Sequence, residues 1–428
     1  MSASAATRVR PAGTGTPPRP AFGRRQVHAV AGCYFVASFA ALGLPPYLTE
    51  ILPELGDRGA RWAGLLYVVP TVFGGLGAPL WGRLADRYGR KRLLLRAQLG
   101  LAVAFLLAGA ADSLATFTAA LVLQGLLGGT FAASNGYLAA ALEGQALAKA
   151  LTLMQGSARA ALVLAPVLVG SLSPWLTPHR QYALLAVLPL TAALMLCALP
   201  EPRRATATEP AGEPATEGAA DGAAEGPTKA EAPAGEQQRT PLRGLYTLEF
   251  AFVFSTVISF PYLISLIEDR MPGTSALVSG VLFALPHLVY LASAMAVHAV
   301  FRGRARLGTA LGFGLIAVGL AGHVPADSLA AFTAARLVLG AGLTLGLVCL
   351  SVLAADCAKG RAPGGMFGSL EFVSKAGAVA AGLAAAATTG WIGPLGPTLT
   401  GTALALVTAV AAFALFPRTR TLRTRRSR

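Results

Sequence analysis

Charged residues are scarce in this sequence. They make up 13% of its 428 residues, against about a quarter in an ordinary soluble domain. The scarcity argues against a soluble fold, and the few charges present are bunched rather than spread. Cysteines number four, Cys33, Cys197, Cys349 and Cys357. Three lie within apolar stretches and none has metal-ligand spacing, so they read as small packing residues. No G-x-x-x-x-G-K-[ST] loop occurs, which excludes ATP hydrolysis by that route. No His/Asp/Cys cluster suggests a metal centre or a catalytic apparatus, and no polar stretch is long enough for a nucleotide-binding domain. Neither an enzyme nor a cofactor is expected. The first 25 residues are rich in Pro, Gly and Arg and lack an early apolar run, so no cleavable leader is read there.

What the chain has instead is hydrophobic length. Apolar residues make up 54% of it, and they gather into stretches of the roughly 20 residues a bilayer crossing needs. Twelve such stretches, numbered here as spans 1 to 12, lie at 27–49, 62–82, 93–111, 115–141, 149–173, 181–200, 244–267, 277–300, 307–324, 328–355, 365–390 and 397–416. In lipid every backbone polar group must be paired within its own segment or a closed barrel, so these spans are expected to be helices. The expected fold is an all-α polytopic membrane protein with twelve transmembrane helices in two pseudo-symmetric six-helix halves.

The net charge of +15 would suit nucleic acid, but its distribution does not. With the N-terminus on the cytoplasmic side, 28 of the 35 Lys and Arg fall in cytoplasmic segments. Four, Arg58, Arg61, Arg180 and Arg270, fall opposite, and three, Arg159, Arg336 and Lys375, fall inside spans. That is the positive-inside pattern of a membrane protein, with affinity for anionic headgroups. Both termini are therefore expected in the cytoplasm, with the lipid bilayer and not nucleic acid as the partner of the basic surface.

Residues 201–242 are rich in Ala, Glu, Gly, Pro and Thr and have no apolar face, the composition of a disordered linker. They separate a first half, 26–200, from a second, 243–416, between an N-terminal tail at 1–25 and a basic tail at 417–428. The halves repeat at an offset of 215 or 216. Residues 111–120 (ADSLATFTAA) recur as 326–335 (ADSLAAFTAA). Gly64 and Pro70 match Gly280 and Pro286, Pro46-Tyr47-Leu48 matches Pro261-Tyr262-Leu263, and Arg159 matches Lys375. Two parallel six-helix repeats are the plan of a rocker-type secondary transporter, with its substrate site between the halves near the midplane.

Between spans 2 and 3 the chain reads Gly82-Arg83-Leu84-Ala85-Asp86-Arg87-Tyr88-Gly89-Arg90-Lys91-Arg92. This closely resembles the major facilitator signature G-x-L-a-D-r-x-G-r-k, at the same place between helices 2 and 3, and the resemblance extends over both halves. It implies a conformational latch in which Asp86 braces one state, with Arg87 and Arg90 as partners, Lys91 in the basic cluster, Gly82 allowing close helix approach and Gly89 a tight turn. The second half keeps only Arg302, Gly303, Arg304 and Arg306, without the acidic member. Two motifs of the drug:proton antiporters are incomplete. Span 4 has Gln124-Gly125 but Leu121 where they carry Arg, whereas span 10 has Arg336 four residues before Gly340. Span 5 has Gly156, Ala165-Pro166 and Gly170, a partial match to the antiporters' Gly-Pro motif that leans toward export; close packing of small residues explains it equally.

Charges inside a membrane are costly and usually face a cavity. Glu371 and Lys375 are four residues apart, on one helix face, and their mates on span 5 are Gln155 and Arg159. Arg159, Lys375 and Arg336 are expected to hold an anionic group of the substrate, and Glu371 to carry a proton; a static Glu371–Lys375 pair is the alternative. Glu249, whose mate is Tyr34, is a second protonation candidate or a residue that only reaches the headgroups. His287 after Pro286 either titrates near neutral pH or packs as a neutral ring. Tyr47, Tyr262, Asn135 and Gln124 are candidates for the cavity wall, with close packing as the rival reading of Asn135.

The resemblance implies a monomeric secondary active transporter of a bacterial inner membrane, working by alternating access. It would export a small organic molecule, drug-like or a secondary metabolite, in exchange for protons. A carboxylate-type siderophore exporter is one alternative, since 124–138 loosely resembles such carriers. A membrane sensor or scaffold without transport is the other.

Overall fold

The computed structural model describes residues 23–142, 144–199, 242–301, 303–358 and 363–415. The linker, most of both tails and the expectations placed on them lie outside the described residues. All regular structure among the described residues is helical. Among the described residues, nine helices are long and apolar enough to cross a membrane, and three shorter apolar ones, Ala63–Ala78, Leu114–Leu127 and Ala305–Ala321, fill the remaining places. Taken in chain order they are the twelve spans, and the protein is an all-α polytopic membrane protein of two pseudo-symmetric halves.

Most spans are single helices: span 2 is Ala63–Tyr88, span 3 Arg90–Gly109, span 5 Gly144–Leu172, span 8 Ala276–Phe301, span 9 Ala305–Gly322, span 10 Leu329–Ala358, span 11 Pro363–Ile392 and span 12 Gly396–Leu415. The others are interrupted. Span 1 runs as Arg24–Gly43 and then tightens into the 3-10 turn Pro45–Tyr47. Span 7 does the same, from Leu242–Val257 into Phe260–Tyr262. A proline in each turn lacks the N–H that would continue the α-helical ladder. Span 4, expected as one helix, is broken into Leu114–Leu127 and Thr130–Ala141, because Gly129 adopts φ 87°, a conformation open to glycine. Span 6 is divided at Ala186 into Pro178–Leu185 and Val187–Cys197.

The long sequence repeat has a local cause. Ser113 caps span 4, its hydroxyl accepting the Thr116 N–H at 3.3 Å. Ser328 caps span 10 in the same way, accepting the Ala331 N–H at 3.4 Å. A side-chain oxygen satisfying an orphan N–H of the first turn favours Ser and Asp at this position.

The apolar cores show how the halves meet. Near the loops that join spans 1–2 and 7–8, one cluster draws on both halves, including Leu44, Tyr47, Ala165, Ile258, Tyr262, Ala381 and Ala385. A neighbouring cluster places Leu162 with Phe260, Leu263 and Phe283. At the opposite end the cores separate. One cluster, with Val30, Tyr34, Tyr137 and Met154, belongs to the first half alone. Another, with Leu245, Phe252, Phe313 and Leu353, belongs to the second half alone. The molecule is thus joined at one end and divided at the end where span 1 begins and span 12 finishes. Large apolar side chains of spans 3, 6, 9 and 12, such as Leu106, Leu194, Val318 and Val410, remain exposed. An all-helical protein with apolar outer faces places those faces in lipid.

Candidate functional site

The joined end is a pair of symmetry-related crossings, span 5 on span 8 and span 2 on span 11. Glycine makes each possible. A Cβ on Gly64 would lie 2.6 Å from the Gly382 carbonyl oxygen, and a Cβ on Gly280 would collide with the Pro166 carbonyl oxygen and the Tyr47 hydroxyl. These two contacts are mates, since 64 and 166 become 280 and 382 at the offset of 216.

A tyrosine bridges the halves at each crossing. The Tyr47 hydroxyl faces the carbonyl oxygens of Pro166 at 2.6 Å and Ala276 at 3.1 Å. The Tyr262 hydroxyl donates to the Arg61 carbonyl at 3.0 Å and accepts the Gly64 N–H at 3.1 Å. Arg61 and Ala276 are again mates, at the offset of 215. Gly64 lies in the first turn of span 2, so Tyr262 satisfies an orphan helix N–H from the other half of the protein. Both tyrosines are buried. They were expected on a cavity wall; the structure makes them clasps at the closed end.

Arg336 also differs from expectation. It has no exposed surface, its Nε donates to the Leu282 carbonyl at 2.8 Å and its Nη2 to the Phe283 carbonyl at 2.9 Å. The cause is Pro286, which has no N–H to return to the carbonyl four residues earlier. That carbonyl is Leu282, and Arg336 takes the vacant place, while Gly340 one turn later lets span 10 approach Pro286 and Val289. The Arg-x-x-x-Gly pattern of span 10 therefore serves the kink of span 8, away from the cleft. In the first half Gly125 packs on Pro70, but Leu121 supplies no such donor.

Below the clasps, the facing helices bring charges together. Glu371 and Lys375 pair at 3.4 Å with both side chains largely exposed, and Gln155 is exposed as well. Arg159 turns toward span 8: its guanidinium lies 5.6 Å from the Tyr290 ring centre, and Nη1 stands 3.5 Å from His287 Nδ1. Guanidinium groups only donate, so His287 accepts at Nδ1 and carries its proton on Nε2, a neutral ring wedged between Phe260 and Phe283. Ser374 of span 11 lies beside the Glu249 carboxylate of span 7. Tyr34, Tyr290 and Glu249 lie within electrostatic reach of Arg159, and Glu371 within reach of Tyr34 and Glu249. The sequence set Gln155 and Arg159 across a cavity from Glu371 and Lys375. In the structure Arg159 lies against span 8 and Lys375 pairs with Glu371 on its own helix, while Glu249, read separately as a second protonation candidate, lies within electrostatic reach of Arg159 and Glu371. The sequence reading missed Tyr290 and Ser374, whose signal was slight: a hydroxyl one helical turn from His287 and three residues from Glu371. Asn135 lies on the second segment of span 4 and Gln124 in the packed layer on its first; neither joins this group.

The loop between spans 2 and 3 turns at Gly89, with φ 98°. Arg90 Nη1 donates to the Gly136 carbonyl of span 4 at 2.9 Å. Lys91 donates to the Cys197 carbonyl at 3.0 Å and to Leu199 at the end of span 6. Arg87 lies over the Tyr88 ring at 5.4 Å. The side chain of Asp86 and the surroundings of Gly82 lie outside the described residues.

Similarity to known proteins agrees with this architecture. Over 169 residues the chain is 34% identical to the multidrug resistance protein MdtG of Yersinia enterocolitica, covering 38% of this chain and 39% of that one. Over 170 residues it is 35% identical to MdtG of Citrobacter koseri, covering 39% and 40%. The chain therefore spans about two fifths of the length of these relatives. Among solved structures, it superimposes on the human organic anion transporter MFSD10 (TETRAN) with a TM-score of 0.62 at 20% identity, over 93% of this chain and 100% of that one. On a bacterial homolog of the human lysosomal transporter Spinster, in an inward-facing and occupied conformation, the TM-score is 0.67 at 13% identity, over 91% and 95%. At these identities the likeness is one of fold. A sequence profile of the Major Facilitator Superfamily matches residues 30–322, and the chain belongs to that superfamily of membrane transporters.

Proposed function

We propose that this protein is a secondary active transporter working by alternating access, which exports a small, drug-like organic molecule in exchange for protons. The observation that carries the reading is the charged group between the halves. Arg159, Glu249, Glu371 and Lys375 come from spans 5, 7 and 11, beneath an end that the two tyrosines hold shut. By the charge asymmetry of the loops the open end faces the cytoplasm, with both termini there, so the conformation is inward-facing. The partial identity to MdtG supports a drug-like cargo. The cationic lining supports cargo bearing an acid group, and a carboxylate-type siderophore is the second reading.

Two carboxylates are available for the proton. Glu371 is exposed and paired with Lys375, whereas Glu249 is half-buried with Ser374 beside it. An ionisable group whose charge is costly when buried is the better coupling device, which favours Glu249, with Glu371–Lys375 as the entry point. The test is transport into inverted vesicles with and without an imposed proton gradient, comparing wild type, Glu249→Gln and Glu371→Gln, with a drug panel and citrate-type and hydroxamate-type siderophores. Gradient-dependent uptake that is lost in Glu249→Gln supports the coupling role. Unchanged gradient dependence in both variants refutes it, and the compound that moves decides between the cargo readings.

A further inference from the structure

A cavity of about 210 Å³ lies within the first half, between spans 2, 3 and 4, near the end that carries the basic loop. Trp81, Arg90, Arg96, Gly128 and Gly129 line it. We propose that it is a binding site for a phosphate-bearing anion, gripped by Arg96.

Three features point that way. The first is Arg96. Its guanidinium lies 3.3 Å over the Trp81 ring and its Nη2 donates to the Gly128 carbonyl at 3.1 Å. Its Nε and Nη1 are shielded from solvent and have no partner. A charged donor left dry without an acceptor is costly. The planar guanidinium fork matches two oxygens of one phosphate better than any other side chain does. Trp81 fixes the plane of that fork and is itself fixed, donating Nε1–H to the Leu126 carbonyl at 2.7 Å.

The second feature is the break in span 4. The helix Thr130–Ala141 starts at Gly129, with no side-chain cap. Its first-turn N–H groups and the positive end of its dipole favour an anion, and Gly129 and Ala133 both line the cavity. The volume is about seven times the share of a water molecule in the liquid, which leaves room for a tetrahedral oxyanion and the start of an ester arm.

The third feature is asymmetry. At the offsets of 215 and 216 the positions matching Trp81 are Ala296 and Val297, those matching Arg96 are Leu311 and Gly312, and those matching Gly129 are Thr344 and Leu345. The second half has neither guanidinium nor indole there, and span 10 runs unbroken through Thr344. The fold repeats but this cavity chemistry does not, so helix packing alone does not account for it.

A phosphate can come from an anionic lipid headgroup or from free solute, and one titration separates the two. Purified full-length protein in a neutral detergent is titrated with short-chain phosphatidic acid and, separately, with inorganic phosphate, while tryptophan fluorescence is followed. Short-chain diacylglycerol, which lacks the phosphate, is the control. Trp81→Phe shows which part of the signal arises at the cavity. The expected result is a saturable change with phosphatidic acid, absent with diacylglycerol and absent in Trp81→Phe. The apparent Kd should rise about tenfold or more in Arg96→Gln, the equivalent of one charged hydrogen bond. It should rise less in Arg96→Lys, which keeps the charge without the fork and serves alone if the glutamine variant does not fold. Arg92→Gln, an exposed cation in the same first turns of span 3, should titrate as wild type. Saturation by inorganic phosphate as well, with competition between the two ligands, assigns the site to soluble anions; saturation by the lipid alone assigns it to the headgroup. No saturable change with either ligand, an equal response to diacylglycerol, or an Arg96→Lys protein that titrates as wild type would overturn the proposal.

Discussion

The tyrosine clasps allow the energy of the closed end to be weighed. Replacing Tyr262 with Phe removes two hydrogen bonds, leaving the Gly64 N–H buried and unpaired and the part-buried Arg61 carbonyl without its donor. Replacing Tyr47 with Phe deprives Pro166 and Ala276 of a hydroxyl that serves both. A neutral hydrogen bond contributes about 1 kcal/mol net, and a buried group left without its partner costs about 1–3 kcal/mol. When this end opens, the same groups meet water, so the substitution costs little there. The closed-end conformation should therefore lose about 1.4 kcal/mol or more per tyrosine, which is about tenfold in the equilibrium between the two conformations.

The two clasps bond different backbone groups, although the turns that carry them, Pro45–Tyr47 and Phe260–Tyr262, touch; taken as independent bonds, their effects add. A protein poised at about 99:1 in favour of the closed end would shift to about 10:1 with one substitution and about 1:1 with both. Paired spin labels at Arg58→Cys and Ser275→Cys, one exposed site in each half at this end, report the equilibrium as a distance distribution once the native cysteines are replaced. A longer-distance population should be visible in either single variant and should rival the shorter one in the double variant. Distributions identical to wild type in all three would refute the reasoning. So would a change confined to labels at the opposite end.

Other outcomes follow from the same contacts. Gly64→Ala and Gly280→Ala should each spread the closed end more than either tyrosine variant, because a methyl group meets backbone carbonyls of the other half; the same spin-label pair reads this. Arg336→Met should lower thermal stability in detergent by the equivalent of at least about 2–3 kcal/mol, the value of hydrogen bonds from a charged donor to the carbonyls near Pro286. It should leave the relative rates for different cargo unchanged, since Arg336 does not reach the cleft. Lys375→Met should frustrate the Glu371 carboxylate but cost little stability, under about 1 kcal/mol, because an exposed pair contributes that little; a thermal melt checks it.

The frame of the molecule was legible from residues alone because lipid leaves the backbone few choices. Twelve apolar stretches had to be helices, and the repeat at 215 or 216 aligned Ser113 with Ser328 and Gly64 with Gly280, positions that proved to be caps and crossings. What the sequence did not reveal was which way a side chain turns. Tyr47, Tyr262 and Arg336 looked like cavity residues because polar groups in spans usually face water. Each instead satisfies a backbone group, and for Arg336 a signal existed: Pro286 leaves the Leu282 carbonyl in need of a donor from a neighbouring helix. Gly128-Gly129 was a similar missed signal, a glycine pair inside an apolar run where a helix can end. Arg96 was counted only as one more positive charge of the basic face, since nothing in its neighbours along the chain foretold that Trp81 would lie under it.

Symmetry and chemistry part company in this molecule, and that division bears on how it works. The features that join and order the halves are duplicated: capped spans 4 and 10, glycine crossings, and one tyrosine clasp from each half. The charged residues are not. Arg159 and Lys375 are mates, yet Arg159 lies against His287 and Tyr290 whereas Lys375 pairs with Glu371 on its own helix. Tyr34 and Glu249 are mates, yet only Glu249 can ionise as a carboxylate. Arg336 braces the kink in one half with no counterpart at Leu121. A perfectly symmetric pair of halves would give the cleft equivalent contacts in its two conformations and so no preference between them. Ligand-driven population shift requires different binding free energies in the two states. If the proposed proton exchange holds, the unequal residues along the cleft are where that difference arises, so substitutions at Arg159, Glu249 and Glu371 should alter coupling, while those at the clasps should alter only the balance of conformations.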